Sequence, residues 1–429
     1  MEKVKIAILG FGNVGISVWR ILLENKKEIM RRSNYEIEVA MILVKDINKH
    51  RDIELPKNIL TDNIDDIIND ESIKIVVELL GGCKEAKEYI IRVMKSKKHI
   101  VTTNKLVVAS CSKELLKISQ EENVLFYYEA SVAGGIPILS EITQSLAANR
   151  IEKIVGIVNG TNNYILGKMT VDGSSFEQAL REAKEKGYAQ EDSTSDIEGY
   201  DDVYKLAIMA SLAYDTEINY HYIYREGISN ISDIDVKYAK QLGYVIKFLA
   251  IAKEENNKLE MRVHPSLVPS RHPMANVNDD FNAILIKGNA VGDLMLYGKG
   301  TGDRSTGSAV VGDIISILRN NVDPSALKRL GSEVDFKEVK KVGKNESEFY
   351  IRLNIKDKAG ILSDAVQIFD GNNVGIASVN QDIAYKDNVP LEFITNKTSE
   401  INIFNSLKKI KELENVNEVE SMIRIESFD

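Results

Sequence analysis

Gly10-Phe11-Gly12-Asn13-Val14-Gly15 follows directly on the apolar run Val4–Leu9, and this junction decides the fold. The run reads as a buried strand. The residues after it, Ile16 to Lys26, have helical periodicity, with Trp19, Ile21 and Leu22 among the apolar positions. In a strand–GxGxxG–helix unit the glycines permit a tight turn, close approach of backbone to a pyrophosphate, and close packing of helix on strand. The diphosphate would sit against free N–H groups at the helix's positive end. GxGxxG alone is weak, because a packing turn can carry the same letters. Its place at the first strand–helix junction of a repeating pattern is what points to a dinucleotide held by Gly10, Phe11, Gly12, Asn13, Val14 and Gly15.

Outward from this loop, short apolar runs alternate with helical ones. Ile37–Val44, Ile75–Leu80, Ile100–Thr103 and Val124–Tyr128 read as strands, and Lys84–Met94 as a helix. Such alternation implies βαβ units and a buried parallel sheet. The expectation is an α/β chain with a doubly wound, Rossmann-type dinucleotide domain over 1–135. The second strand ends in Val44-Lys45-Asp46. An acid here would hold a ribose hydroxyl of NAD, whereas Lys45 could meet the 2′-phosphate of NADP. Asp46 sits one place late for the first role, and Lys45 and Arg51 read equally well as solvated loop charge.

Residues 136–320 read as an α+β substrate and dimerisation domain. Ile151–Asn159 fits a strand. Ser174 and Glu177 fit a capping box, and Gly187 a helix end. A long helix is predicted from near Tyr200 past Ala213, and strands at Ala283–Lys287 and Leu294–Tyr297. The glycine-rich loop Gly298–Gly307 leads to a helix over Ala309–Leu318, of which the stretch 305–320 is expected to pack back on the first domain. A polar linker is placed at 321–348. From 349 to 429, strand, helix and strand signals recur in βαββαβ order, a ferredoxin-like sandwich.

Composition narrows the function classes. The net charge of −9 disfavours a general affinity for nucleic acid or anionic membrane. Cys83 and Cys111 form no CxxC pair, and the five histidines show no zinc spacing. No apolar run reaches the ~18 residues that a spanning helix needs. The stretch Ile6–Trp19 superficially resembles a signal peptide, but its spaced glycines and missing cleavage site favour a strand and turn. A cytoplasmic protein with reduced thiols is expected.

The chemistry-bearing residues are two lysines and two acids. Asp201 and Lys205 are spaced i, i+4 in the predicted helix, and Asp196 lies just upstream. Alone this is an ordinary surface pair. The polar loop Asn159-Gly160-Thr161-Asn162-Asn163 raises its interest, as does Thr102-Thr103-Asn104-Lys105 at the end of the fourth strand, where ligands of such sheets bind. Reducing an aldehyde needs hydride at carbon and a proton at oxygen. A protonated lysine can supply the proton and stabilise developing negative charge, and carboxylates can hold a substrate ammonium.

These segments together resemble the homoserine dehydrogenase family, over nearly the whole chain. The resemblance is carried by the dinucleotide loop, by Glu78-Leu79-Leu80-Gly81-Gly82, by Val101–Lys105, by Glu129–Pro137, by Asn159–Leu166 and by Asp196–Asp201 ending at Lys205. It implies NAD(P)-linked interconversion of L-aspartate 4-semialdehyde and L-homoserine, a step toward threonine, methionine and isoleucine. Lys205 matches the family's proton donor, and Lys105 its second active-site lysine. Thr103 and Gly302 match cofactor positions. Asp196, Asp201, Gly160 and Thr161 match the substrate site. Glu129, Val132, Gly134 and Ile136 match a sodium site built largely from backbone carbonyls. A homodimer or homotetramer is implied as well.

The chain departs from the family around the substrate. A glutamate usually follows Gly-Tyr-Ala; here Gln190 follows Ala189, and Glu191 comes one place later. Either Gln190 binds the substrate amine without charge or Glu191 replaces it through a loop shift. The 349–429 segment resembles an ACT domain through Tyr350–Leu362 and Asn372–Gln381, with threonine as the family's usual effector; dimerisation without a ligand is the alternative. Two further readings stay open: reduction of another amino-acid semialdehyde, and a catalytically silent sensor of dinucleotide and amino acid, against which both lysines speak.

Overall fold

The computed structural model describes residues 2–319, 337–340, 343, 345–356, 358–381 and 389–428. The chain forms two compact units: Met1–Ile154 with Val203–His221 and Phe281–Lys337, and Val155–Asp202 with Tyr222–Asp280 and Glu338–Asp429. Among the described residues no helix is long and apolar enough to cross a membrane.

The first unit opens with β1 (Glu2–Leu9), α1 (Asn13–Glu24), α2 (Lys26–Ser33), β2 (Tyr35–Leu43), β3 (Leu60–Thr61) and α3 (Ile64–Asn69). It continues with β4 (Ile73–Glu78), α4 (Lys84–Lys95), β5 (His99–Thr102), α5 (Lys105–Glu122) and β6 (Phe126–Tyr127). The strands pair in parallel in the order β3-β2-β1-β4-β5-β6. This is the expected doubly wound sheet, with its switch point between β1 and β4. The strands read as unbroken apolar runs because helices cover both faces; Ile6, Ile8, Ile75, Val77 and Val101 lie in one core. Leu9 sits opposite Glu78, and Glu78 opposite Thr102. The segments after β1, β4 and β5 therefore leave the sheet side by side at its carboxyl edge.

The chain then passes through α6 (Ile138–Ser140), a π-helical turn at Glu141–Ser145, and β7 (Ile151–Ile157), α7 (Gly160–Asp172), α8 (Phe176–Glu185), α9 (Thr194–Ile197) and α10 (Tyr200–Ala213). The predicted capping box lies one residue further on. Ser175 caps α8 by accepting from the Gln178 N–H, and the Gln178 side chain answers at the Ser175 N–H. Gly173, left-handed after α7, takes up the turn, and an amide does what the Glu177 carboxylate was expected to do.

Next come β8 (Tyr224–Arg225), α11 (Asp233–Gln241), β9 (Tyr244–Glu255) and β10 (Lys258–Pro269). β9 and β10 form a long antiparallel hairpin turned by Asn256 and Asn257, both left-handed. β11 (Phe281–Gly288) and β12 (Gly292–Lys299) form a second hairpin, and α12 (Asp303–Arg319) follows. α12 packs on α1, with Gly307 against Ser17 and with Val310, Ile314 and Ile317 in the core beside Val18 and Leu22.

Of the 321–348 segment, 321–336 falls outside the described residues; β13 (Glu338–Val339) pairs with β10. The C-terminal module runs β14 (Glu346–Ile355), α13 (Ile361–Asp370), β15 (Ile376–Gln381), β16 (Val389–Thr395), β17 (Thr398–Ser399), α14 (Glu400–Ile410) and β18 (Val416–Ile425). Its strands are antiparallel in the order β18-β14-β16-β15, the ferredoxin-like arrangement, with its own core around Ile351, Phe369, Phe393 and Ile403.

Candidate functional site

The glycine loop has the shape that its letters predict. Gly10 is left-handed (φ 95°), and a Cβ there would lie 2.9 Å from the Leu79 carbonyl oxygen. A Cβ on Gly15 would lie 2.6 Å from the Gly10 carbonyl oxygen. At Gly12, however, a Cβ would meet nothing within 4 Å. The outer glycines thus serve the chain's own packing, and the middle one leaves open space over the α1 N-terminus, where no side chain caps the free N–H groups. That is the arrangement that admits a pyrophosphate.

Beside this loop, the buried Glu78 ties two strand ends together. Its carboxylate accepts from the Leu80 N–H at 2.6 Å and from the Thr102 hydroxyl. Asn104 donates to the Gly82 carbonyl at 2.6 Å, while its side-chain oxygen caps α5 through the Val107 N–H. Burial pushes the Glu78 carboxyl up to about 7 despite these hydrogen bonds. The network holds half-buried Thr103 and Lys105 at the carboxyl edge. In the sequence Glu78 stands only as part of the Glu78–Gly82 segment, and an acid amid an apolar strand end is its one local signal.

Lys105 starts α5, and Lys205 lies buried on α10. Val108, Ala109, Ser112 and Leu116 of α5 and Ala207, Ile208, Ser211 and Leu212 of α10 line one small cavity of about 30 Å³, so the helices face each other across it. Further on, Lys113 pairs with Glu217 at 2.7 Å. Both chain segments therefore run from their lysine toward this same ion pair.

In the second unit Asn159 organises the acids. It caps α7 by accepting from the Asn162 N–H, and its amide group donates to Asp196 at 2.9 Å and Asp201 at 3.0 Å. Asn162 donates to the Asp196 carbonyl at 2.7 Å, and the Thr161 hydroxyl to the Tyr188 carbonyl at 2.6 Å. Asp196, Asp201, Gly160 and Thr161 are thus brought together. Asn159 was seen only as part of a polar loop; its spacing to two acids far along the chain gave no local signal. Gln190 and Glu191 are exposed, and the Glu191 carbonyl accepts from Lys184 at 2.8 Å. Lys247 is buried beneath the same helix, donating to Asn163 at 3.4 Å and Asn278 at 3.0 Å; burial lowers it to about 8.

Other predicted residues lie elsewhere in the first unit. Lys45 is exposed, while the Asp46 carboxylate is engaged by the Asn48 N–H at 2.8 Å. Gly302 precedes α12, left-handed and exposed, its carbonyl accepting from the Ser305 hydroxyl at 2.9 Å. Glu129 accepts N–H bonds from Leu139 (2.7 Å) and Ser140 (2.8 Å), and its own N–H donates to Asp313 at 3.0 Å. Val132, Gly134 and Ile136 are buried, and Ala133 and Gly134 are left-handed. Burial, then the charge of Glu129, holds Asp313 well above the usual carboxylate range.

Comparison with known proteins identifies the chain's relatives. The family model for homoserine dehydrogenase matches residues 137–315, and that for the homoserine dehydrogenase NAD binding domain matches 10–129. Homoserine dehydrogenase of Bacillus subtilis is 36% identical over 99% of both chains. That of Corynebacterium glutamicum is 36% identical over 99% of this chain and 96% of its own. A crystal structure of a homoserine dehydrogenase from Thiobacillus denitrificans superimposes with TM-score 0.94 at 36% identity, covering 100% of this chain and 99% of that one. A hyperthermophilic archaeal homoserine dehydrogenase in complex with NADPH matches 74% of this chain and 98% of its own at TM-score 0.62 and 25% identity. The chain belongs to the homoserine dehydrogenase family, NAD(P)-dependent oxidoreductases acting on a CH–OH group.

Proposed function

We propose a division of labour for the interconversion of L-homoserine and L-aspartate 4-semialdehyde. Lys205 takes the hydroxyl proton when homoserine is oxidised and returns it to the carbonyl oxygen in the reverse direction. Lys105 stabilises negative charge developing on that oxygen. The hydride is the cofactor's chemistry; the protein positions it. Asp196 and Asp201, held by Asn159, receive the substrate ammonium, with Gly160 and Thr161 forming the adjoining loop. Gln190 or Glu191 completes the amine contacts.

What supports this reading is that α5, which begins at Lys105, and α10, which carries Lys205, line one cavity and are joined by the Lys113–Glu217 pair. The dinucleotide occupies the loop Gly10, Phe11, Gly12, Asn13, Val14 and Gly15, with Thr103, Lys105 and Gly302. NADP is favoured over NAD, because Asp46 is spent on its own turn while Lys45 faces solvent. The NADPH bound by the archaeal relative agrees with this. Sodium is assigned to Glu129, Val132, Gly134 and Ile136. A half-buried carboxylate with backbone carbonyls is an all-oxygen set that suits a hard cation.

We read 1–135 as the dinucleotide domain, 136–320 as the substrate and dimerisation domain, and 349–429 as an ACT module with threonine as effector. The protein works in the cytoplasm as a homodimer or homotetramer. The test is absorbance of reduced nicotinamide on mixing with homoserine and each cofactor. NADP-dependent turnover supports the assignment, and inactivity toward homoserine with both cofactors overturns it.

A further inference from the structure

We propose that Arg424, in the last strand of the C-terminal module, is a positioning residue for the substrate acids, acting through Glu226. The proposal rests on the reading of Asp196 and Asp201 as those acids.

Arg424 is fully buried, and its guanidinium is divided between two carboxylates. Nε donates to Glu400 at 2.5 Å within the module, and Nη1 to Glu226 at 2.8 Å on the loop after β8. Glu226 also accepts from the Tyr224 hydroxyl, and its N–H donates to the Val263 carbonyl at 2.9 Å. Both ends of this residue are thus fixed.

The next residues grip the segment that carries the acids. Ile228 N–H donates to the Ile197 carbonyl at 3.0 Å. Gly227 lies so close that a Cβ there would be 2.8 Å from that carbonyl and 3.1 Å from the Glu198 Cα. Arg225 donates to the Glu198 carbonyl and stacks 3.7 Å from the Tyr200 ring centroid, and Ser229 donates to the Glu198 carboxylate at 3.3 Å. On the other side, Gly199 is left-handed and pressed on Phe248, where a Cβ would come within 2.7 Å. Residues 197–200 are therefore clamped between β9 and the 225–229 loop. Asp196 and Asp201 flank that clamped stretch.

A buried ion pair adds little net stability, but breaking it leaves a charge uncompensated and its neighbours free to rearrange. Here the neighbour is the loop that sets where two carboxylates sit. Displacements of an ångström at a binding site are enough to change rates severely.

The test uses the full chain with Glu226→Gln, a near-isosteric change at a side chain 30% exposed, and Arg424→Met beside it. Kinetics are measured with homoserine and dinucleotide varied separately, and amide hydrogen exchange is followed at Gly199 and Ile228. In Glu226→Gln the expected result is a KM for homoserine raised about tenfold, a dinucleotide KM within about twofold, and faster exchange at both amides. Arg424→Met added to Glu226→Gln should raise that KM little further, because both act on one contact. An unchanged homoserine KM in folded Glu226→Gln overturns the proposal, as does an equal rise in both KM values. If the wild type does not turn over homoserine, the functional reading fails, and exchange at Gly199 alone decides the relay.

Discussion

Asn159 donates its amide to Asp201 at 3.0 Å while its side-chain oxygen caps the helix that follows it. One residue thus orients a buried carboxylate and starts α7, and the two tasks can be separated. Asn159→Ser keeps a cap, since serine accepts equally well, but is too short to reach the acids. Stability should fall by about 1–3 kcal/mol, the cost of leaving the buried carboxylate without that donor, with a homoserine KM raised about tenfold or more. Steady-state kinetics beside a thermal melt checks both; an unaltered KM removes Asn159 from the substrate site.

Gly12 and Gly15 should separate binding from folding. Gly12→Ala adds a methyl into open space, so its melting temperature should match wild type while dinucleotide affinity falls about tenfold or more. Gly15→Ala drives a methyl into the Gly10 carbonyl and should lose stability even without ligand. Titration calorimetry and melts would reveal the opposite order if the loop is only a packing turn.

Glu78 should leave a mark on the pH dependence of stability. Its carboxyl is raised from 4.5 to about 7, so the folded state holds this proton while the unfolded state releases it. The protonated group's stabilising contribution is complete below about pH 4.5 and is lost as pH rises to about 7. The loss is on the order of 3 kcal/mol. Glu78→Gln should flatten the stability curve over that interval. Equal slopes for variant and wild type in denaturant titrations from pH 4.5 to 7.5 would show that Glu78 does not titrate there.

Lys45 should set cofactor preference. Lys45→Ala is expected to weaken NADP about tenfold and leave NAD unchanged, with salt weakening NADP binding to wild type more than to the variant. Parallel losses for both cofactors would place Lys45 outside the 2′-phosphate site.

The parallel sheet was legible because strands buried on both faces read as unbroken apolar runs, as in Ile6–Leu9 and Ile75–Val77. The β9–β10 hairpin was not. β10 buries Glu260, Arg262, His264 and Ser266 on alternate positions. Polar letters at that period look like a solvent face or a loop. Some pair with one another, and one partner is remote: Arg262 meets Glu426 at 2.8 Å, 164 positions along the chain. Lys205 and Lys105 stand out as candidates because a turn of helix and a strand end place them. Asn159, Glu78 and Arg424 act through contacts that only the folded chain creates.

In the proposed mechanism Lys205 carries the proton that accompanies hydride transfer. Single-turnover absorbance of reduced nicotinamide, with homoserine and saturating NADP, tests it in Lys205→Met. A rate lower by about a hundredfold or more is expected, with dinucleotide affinity intact. Turnover at the wild-type rate in that variant would contradict it.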